Sequence, residues 1–497
     1  MTVAPMTIFA LSPARAVEIG SRGGASAYSG PAMTSGAIKW RTVAPAAATA
    51  LVILIGGALA EAMYRFAPAT GAAMIVAPAL LALVVWKPLL GLYASLLSIP
   101  LEAFGTSVGS TTVTPAKALL ILTAVAILPR LLTPTAPRRL STVHLWFLVL
   151  LAVSLLGLAF APDKHAVLVI TGNAFAYLVI SIYVSRLDRK ESNRVLLVLV
   201  LSGGIVGVLT ILTSGGPDVA ASSDNARAQL GFDSPNVLAF YLLLTLAPAL
   251  AMIAEAAGWK QRLLALGVAP MIIVGLVLTQ SRSAILGAGL AVAILLGSSR
   301  FRRMAAALAV VLVGVVAFNF GAVMRSPQIA AVQQRLAAID SVAGVQHDPR
   351  ILIWKTTPRI IAAHPVFGVG EGNFPAVSPG YGLLAYDLTP IDHAHDIFLT
   401  VGAELGLVGL AVFLAFLLAL TRSAWRALTR TRSARGPILG LVAALAGLFF
   451  TSIGDYPARA PTVLATLMIM VGLVLAHERQ TMGVAPSPVP TTASSGL

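Results

Sequence analysis

Residues 196–213 read LLVLVLSGGIVGVLTILT, eighteen positions in a row without a charge. At about 1.5 Å per residue, a helix of that length covers most of the ~30 Å hydrocarbon layer of a bilayer. The stretch does not alternate with period two, as a membrane β-strand of ~10 residues would. Residues 46–60, AAATALVILIGGALA, have the same character. The whole 497-residue chain conforms, being 58% hydrophobic and 11% charged, with mean hydropathy +0.89. A soluble domain carries about 25% charged residues. The expected fold class is an all-α polytopic membrane protein of about 12–14 transmembrane helices, with one long extracytoplasmic loop containing short amphipathic helices.

Candidate spans fall near 44–62, 70–86, 88–103, 116–133, 143–160, 166–184, 195–213, 235–255, 263–280, 283–299, 304–323, 396–421, 437–453 and 460–476. The pair around Lys87 is short enough to be re-entrant. Lys and Arg orient the bundle, since they concentrate in cytoplasmic loops. If the spans alternate, one side collects Arg130, Arg186, Arg189, Lys190, Arg194, Lys260, Arg262, Arg300, Arg302, Arg303 and Arg422 to Arg435. With the leader, Lys87, Arg138, Arg139 and Arg479, that side holds 23 of the 34 basic residues. It is expected to be cytoplasmic, with both termini on it. The net charge of +15 is thereby explained without a nucleic-acid partner. Cysteine is absent, which excludes a disulfide framework or thiolate metal site and decides no compartment.

The organisation expected is a disordered cytoplasmic leader at 1–42, a transmembrane bundle at 43–323, an extracytoplasmic loop at 324–395, C-terminal transmembrane helices at 396–477 and a disordered tail at 478–497. The loop is the one soluble-like region of any size, and long loops are usually functional.

Three features gather on the outer side. Arg282, in LTQSRSAILG (278–287), breaks the near-neutrality of the short outer loops; it either snorkels or binds an anion. In 348–374, Ile351, Trp354, Pro358 and Ile361 recur at helical spacing, so an amphipathic helix is expected along the membrane surface, interrupted or kinked at Pro358. Arg350 lies near its start; Lys355 and Arg359 read as a solvated basic face. The GVGEG that follows lacks the strand-turn-helix context of a nucleotide loop and reads as a tight turn. Third, DHAHD (392–396) delivers the chain to the next helix. His393 and His395 are two apart, so on strand or helix they point in different directions, which argues against a shared metal. Asp392 and Asp396 suit the positive N-terminal end of that helix. Glu404, 2.5 turns beyond His395, faces the other way and is expected to hydrogen-bond a neighbouring helix or loop backbone. His395 is the candidate base. Arginines hold phosphate oxygens bidentately. Histidine plus arginine without metal suits transfer from a phosphorylated, lipid-linked leaving group.

These residues resemble a known family. SRSAILG, R-x3-W…HP-x-x-GVG-x-GNF and HAHD-x-FLTVGAELGLVGL, with ARAQLGFDSPNVLAFYLLL (226–244) before them, resemble in order the motifs of the O-antigen ligase and polymerase superfamily. The resemblance implies a metal-independent inverting glycosyltransferase with no cofactor. It would move glycan from an undecaprenyl-pyrophosphate-linked donor to an acceptor hydroxyl at the outer face of the inner membrane. Partners would be that donor, lipid A-core or a lipid-linked polysaccharide acceptor, and membrane lipids. Carried over by motif, Arg282 and Arg350 would bind the donor pyrophosphate and His395 would position or deprotonate the acceptor. Arg227, Asn236, His393 and Asp396 are supporting candidates. The family usually has Asn where this chain has Asp396: either Asp orients the imidazole equally well, or the local hydrogen bonding differs. The motifs do not separate ligase from O-antigen or exopolysaccharide polymerase. The rival class is a lipid-linked glycan transporter or flippase, which would place charges near mid-membrane and broken helices in matching halves.

Overall fold

The computed structural model describes residues 82–104, 106–108, 111–132, 140–214, 227–255, 258–306, 349–385, 388–431 and 435–482. The leader, the spans at 44–62, most of 70–86 and 304–323, the first part of the long loop and most of the tail lie outside these residues.

The chain is all-α and polytopic, with one two-stranded antiparallel hairpin, β1 (Thr106–Val108) and β2 (Thr111–Val113). The helices are α1 (Pro88–Leu97), α2 (Pro115–Leu132), α3 (Thr142–Leu156), α4 (Lys164–Val184), α5 (Arg189–Thr213), α6 (Pro235–Glu255), α7 (Trp259–Leu278), α8 (Arg282–Leu295), α9 (Ser299–Ala306), α10 (Pro349–Ala363), α11 (Ile397–Arg430), α12 (Gly436–Thr451) and α13 (Pro461–Thr481). Among the described residues, seven helices are long and apolar enough to cross a membrane, or up to eight if the bent pair α8–α9 is one span. That pair turns by 119°, so the span expected at 283–299 ends earlier, and its continuation runs off at an angle. The span expected at 88–103 is also shorter, ending at Leu97 before a 3-10 turn.

Helix starts follow the local chemistry. Ser141, Asp163, Asp188 and Asp396 each accept hydrogen bonds from backbone N–H groups in the first turn of the helix they precede, satisfying donors that would otherwise be orphaned. α6 is the most enclosed span; Leu238 to Ala251 are nearly all buried against α7, α12 and α8. Small residues allow that closeness: a Cβ on Gly287 of α8 would lie 2.7 Å from the Gly447 carbonyl oxygen of α12. In lipid, such close backbone approach is a main source of helix association.

Lys260, Arg262, Arg300, Arg302, Arg426 and Arg430 occupy one end of this bundle, at the C-terminal ends of α6, α8 and α11 and the start of α7. The starts of α6, α8 and α11 and the ends of α7 and α12 meet at the other end, where the candidate site lies.

The long loop contributes α10, whose buried face is Ile353, Thr356, Thr357 and Ile360, packed in a small second core with Val369, Phe374, Leu383, Ala394 and Ala403. The expected apolar stripe was offset by a residue. Leu352 and Trp354 are exposed, and Thr356 and Thr357 face inward; the Thr357 hydroxyl is satisfied by donating to the Ile353 carbonyl within the helix. α10 also runs through Pro358 without interruption. Lys355 and Arg359 are exposed, as a solvated face would be.

Candidate functional site

The segment His393–Ala394–His395 is clamped at its middle residue. The Trp354 indole donates to the Ala394 carbonyl at 3.0 Å, and the Ala394 N–H donates to Thr400 Oγ1 at 3.2 Å. His395 takes a left-handed backbone conformation, φ 51°, uncommon for a residue with a side chain and concentrated at functional sites. That turn brings the imidazoles together, ring centroids 4.2 Å apart. The expectation that they point apart is corrected: it assumed a regular strand or helix, and the backbone is neither.

Both rings face Asp455, in the short connection between α12 and α13. His393 Nε2 and His395 Nδ1 lie 3.6 and 3.7 Å from Asp455 Oδ1, ion-pair distances longer than a direct hydrogen bond. Oδ2 of the same carboxylate faces Arg350 at 3.6 Å and receives the Asn236 amide at 3.2 Å. Arg350 also donates to the Gly454 carbonyl at 2.9 Å, pinning the turn that carries Asp455. Asn236 accepts from Arg227 at 2.6 Å, and Arg227 donates on to the Thr279 carbonyl. Four of the sequence candidates, Asn236, Arg350, His393 and His395, therefore converge on one residue that sequence reasoning missed, and a fifth, Arg227, joins them through Asn236. Asp455 is only 5% exposed. Burial alone would raise its carboxyl, but His393, His395 and Arg350 outweigh burial and hold it well below the usual carboxylate range. Burial, with the nearby His395 and Arg459, lowers the His393 imidazole despite Asp455, keeping it neutral at pH 7.

Two candidates stand apart. Asp396 caps α11 through the Leu399 N–H at 2.7 Å rather than holding an imidazole; Asp455 stands beside the imidazoles instead. Arg282 is exposed at the first residue of α8, three residues past the Thr279 carbonyl that receives Arg227. It has no hydrogen bond or ion pair among the described residues.

The glycine-rich stretch is more than a tight turn. Residues 365–370 run beside a break in α11 at Gly406, whose φ is 68° and ψ −172°. Leu407 N–H donates to Pro365 O, Val369 N–H to Ala403 O and Gly370 N–H to Glu404 O, so loop and opened helix satisfy one another. The Glu404 side chain accepts from the Phe374 N–H at 3.2 Å and stands 4.0 Å from Arg459. Arg459 also borders two spaces. One is an apolar cavity of about 110 Å3 between α3, α4, α11 and α13. The other is a polar cleft of about 360 Å3 lined by Glu102, Lys117, Asp163, Asp233, Arg459 and Thr462.

A polytopic helical membrane protein with arginines, histidines and a buried aspartate gathered at one end of its bundle is the class these observations define. Residues 266–414 match the family model Wzy_C, O-Antigen ligase, which supports the resemblance to the O-antigen ligase and polymerase superfamily. That segment holds Arg282, Arg350, His393 and His395, and stops short of Asp455. The match supports a glycan-transferring function at a membrane in general terms. No curated protein matches the chain.

Proposed function

We propose that the chain is a metal-independent inverting glycosyltransferase of the cell envelope. It would transfer glycan from an undecaprenyl-pyrophosphate-linked donor to an acceptor hydroxyl at the outer face of the inner membrane, as an O-antigen or exopolysaccharide polymerase or an O-antigen ligase. The observation that carries the reading is the convergence of Arg350, His393 and His395 on Asp455, inside or beside the matched segment.

The chemistry is a single displacement. The acceptor oxygen attacks the anomeric carbon as the bond from that carbon to the pyrophosphate oxygen breaks. One displacement inverts the centre. The acceptor proton passes to His395 Nε2. With Nδ1 directed at Asp455, the carboxylate favours the tautomer that leaves Nε2 as acceptor, the logic of any carboxylate-oriented imidazole base. The contact at 3.7 Å is loose, as such contacts often are before substrate arrives. The leaving pyrophosphate takes the bonding electron pair, and Arg350 with Arg282 stabilises its charge. Arg350 is 31% exposed on its side chain, so it can reach a ligand while anchored to Gly454. The polar cleft beside Arg459 offers hydroxyl-rich sugars carboxylates, an ammonium and a guanidinium. The basic end of the bundle would face the cytoplasm and the cluster the opposite compartment.

Arg282→Ala, Arg350→Ala and His395→Ala are each expected to lower transfer by at least about 10²-fold, the scale for losing one oxyanion donor or a general base. Glu404→Gln should be milder. The check is release of undecaprenyl pyrophosphate from a lipid-linked oligosaccharide by reconstituted protein in EDTA, with lipid A-core or a second lipid-linked unit as acceptor. Release with one acceptor alone identifies ligase or polymerase. If neither acceptor supports release and His395→Ala changes nothing, the enzyme reading fails and lipid-linked glycan transport replaces it.

A further inference from the structure

We propose that His393, His395 and Asp455 form a binding site for a first-row transition-metal cation, zinc(II) foremost, and that its occupation blocks transfer. The binding stands on geometry alone; the block rests on the proposed role of His395.

The donor atoms are already close to a coordination sphere. One atom from each of the three residues lies within 4.8 Å of the others, and Asp455 Oδ1 is 3.6 Å from His393 Nε2 and 3.7 Å from His395 Nδ1. Tetrahedral zinc with bonds of ~2.0–2.1 Å places neighbouring donors ~3.3 Å apart. The two gaps from Asp455 are thus too wide for hydrogen bonds and only a few tenths of an ångström too wide for a shared metal, and the imidazole nitrogens, within 4.8 Å of each other, need only a small ring movement to close on it. His393 Nδ1 and Nε2 and His395 Nδ1 are buried without a hydrogen-bond partner, which native structures rarely tolerate without a reason. Two of those three would become ligands. Two imidazoles and one carboxylate with an open fourth position is a recurring zinc donor set.

The surrounding charge decides which metals. Arg350 and Asn236 occupy Asp455 Oδ2, while Oδ1 accepts the Tyr456 N–H at 2.8 Å and keeps its second lone pair for the metal; Arg350 and Arg459 both oppose a dication. Affinity must come from imidazole coordination, which favours zinc, copper and nickel over magnesium and calcium. The consequence for transfer follows from the ring. A neutral imidazole bound through Nδ1 carries its proton on Nε2, so His395 loses the lone pair that would receive the acceptor proton. This also gives His393, idle in the transfer itself, a task.

The test uses the full chain, purified in detergent, stripped with chelator and titrated with Co2+ alone. Saturable uptake of one ion per chain, read from visible d–d absorption and displaced by Zn2+, is expected. It should vanish in His393→Gln and in His395→Gln and persist in His364→Ala, which alters an exposed histidine of the loop after α10. A melting curve shows which variants are folded, and either ligand variant suffices. No saturable absorption in wild type, or absorption unchanged in a folded ligand variant, overturns the site. In the transfer assay, Zn2+ should lower wild-type turnover and excess EDTA restore it. Cobalt uptake with zinc-insensitive transfer overturns the block. Transfer absent under every condition would instead overturn the glycosyltransferase reading and leave the absorption result standing.

Discussion

Asp455→Asn is expected to lower glycan transfer by about 10³–10⁴-fold, the scale on which replacing the carboxylate that orients an imidazole base acts, while the chain stays folded. The substitution preserves shape and removes charge. In the native cluster one carboxylate does three things. Its Oδ1 faces the two imidazoles, its Oδ2 accepts from Asn236, and its charge balances Arg350. An asparagine still offers an oxygen to one side but presents N–H donors to the other. If that amide faces His395, the Nδ1 tautomer inverts and the proton moves to Nε2, where it obstructs the acceptor. If it faces Arg350, two donors meet. The stability cost should be about 1–3 kcal/mol, as for other disrupted buried polar contacts, and a melting temperature measures it. A purely structural role for Asp455 would let turnover fall only in step with the fraction folded. Transfer retained within about tenfold of wild type in a folded variant would remove Asp455 from the mechanism.

The sequence carries much of this site but not its centre. Arg350, His393 and His395 stand out because the short connections expected on their side of the bundle are nearly neutral, and charge at a membrane boundary is costly enough to need a reason. Asp455 sits in SIGDYPARA, a nine-residue connection between spans, where an acidic residue reads as an ordinary loop end. Its one sequence signal is the rarity of such charge on that side, shared with Arg459. The convergence of the two histidines was illegible for a different reason. Side-chain periodicity presumes regular backbone, and His395 leaves it at φ 51°. The phase of α10 misled through polarity. The stripe through Ile351, Trp354, Pro358 and Ile361 leaves out Thr356 and Thr357, yet in a helix a threonine hydroxyl can be satisfied by its own backbone and buried, as Thr357 is. The apolar runs, by contrast, place α3, α4, α6, α7 and α12 to within a few residues, because about twenty uncharged positions leave lipid-facing chain no other way to satisfy its backbone.

Gly406→Ala is expected to cost about 3 kcal/mol or more and to leave little folded protein, although Gly406 touches no candidate catalytic residue. Its φ of 68° with ψ −172° lies in a region open essentially to glycine alone. Space forbids a side chain as firmly as torsion does: a Cβ there would stand 2.2 Å from the Val366 carbonyl oxygen and 2.6 Å from the Phe367 nitrogen. These are backbone atoms, so no rotamer relieves the clash. Either the loop 365–370 lifts off or α11 closes into regular helix. Each outcome breaks the bonds from Leu407, Val369 and Gly370 and leaves polar backbone unsatisfied beside the apolar cavity. The same loop presents Phe374 N–H to Glu404 and leads on to the histidine segment, so activity should fall with the folded fraction, unlike Asp455→Asn. Gly380→Ala is the control, since nothing lies within 4 Å of a Cβ there. Melting temperature and the monodisperse fraction after extraction measure both. A Gly406→Ala protein that melts like wild type would mean the break in α11 is not built on this glycine. The opened helix would then have to be held by loop contacts alone.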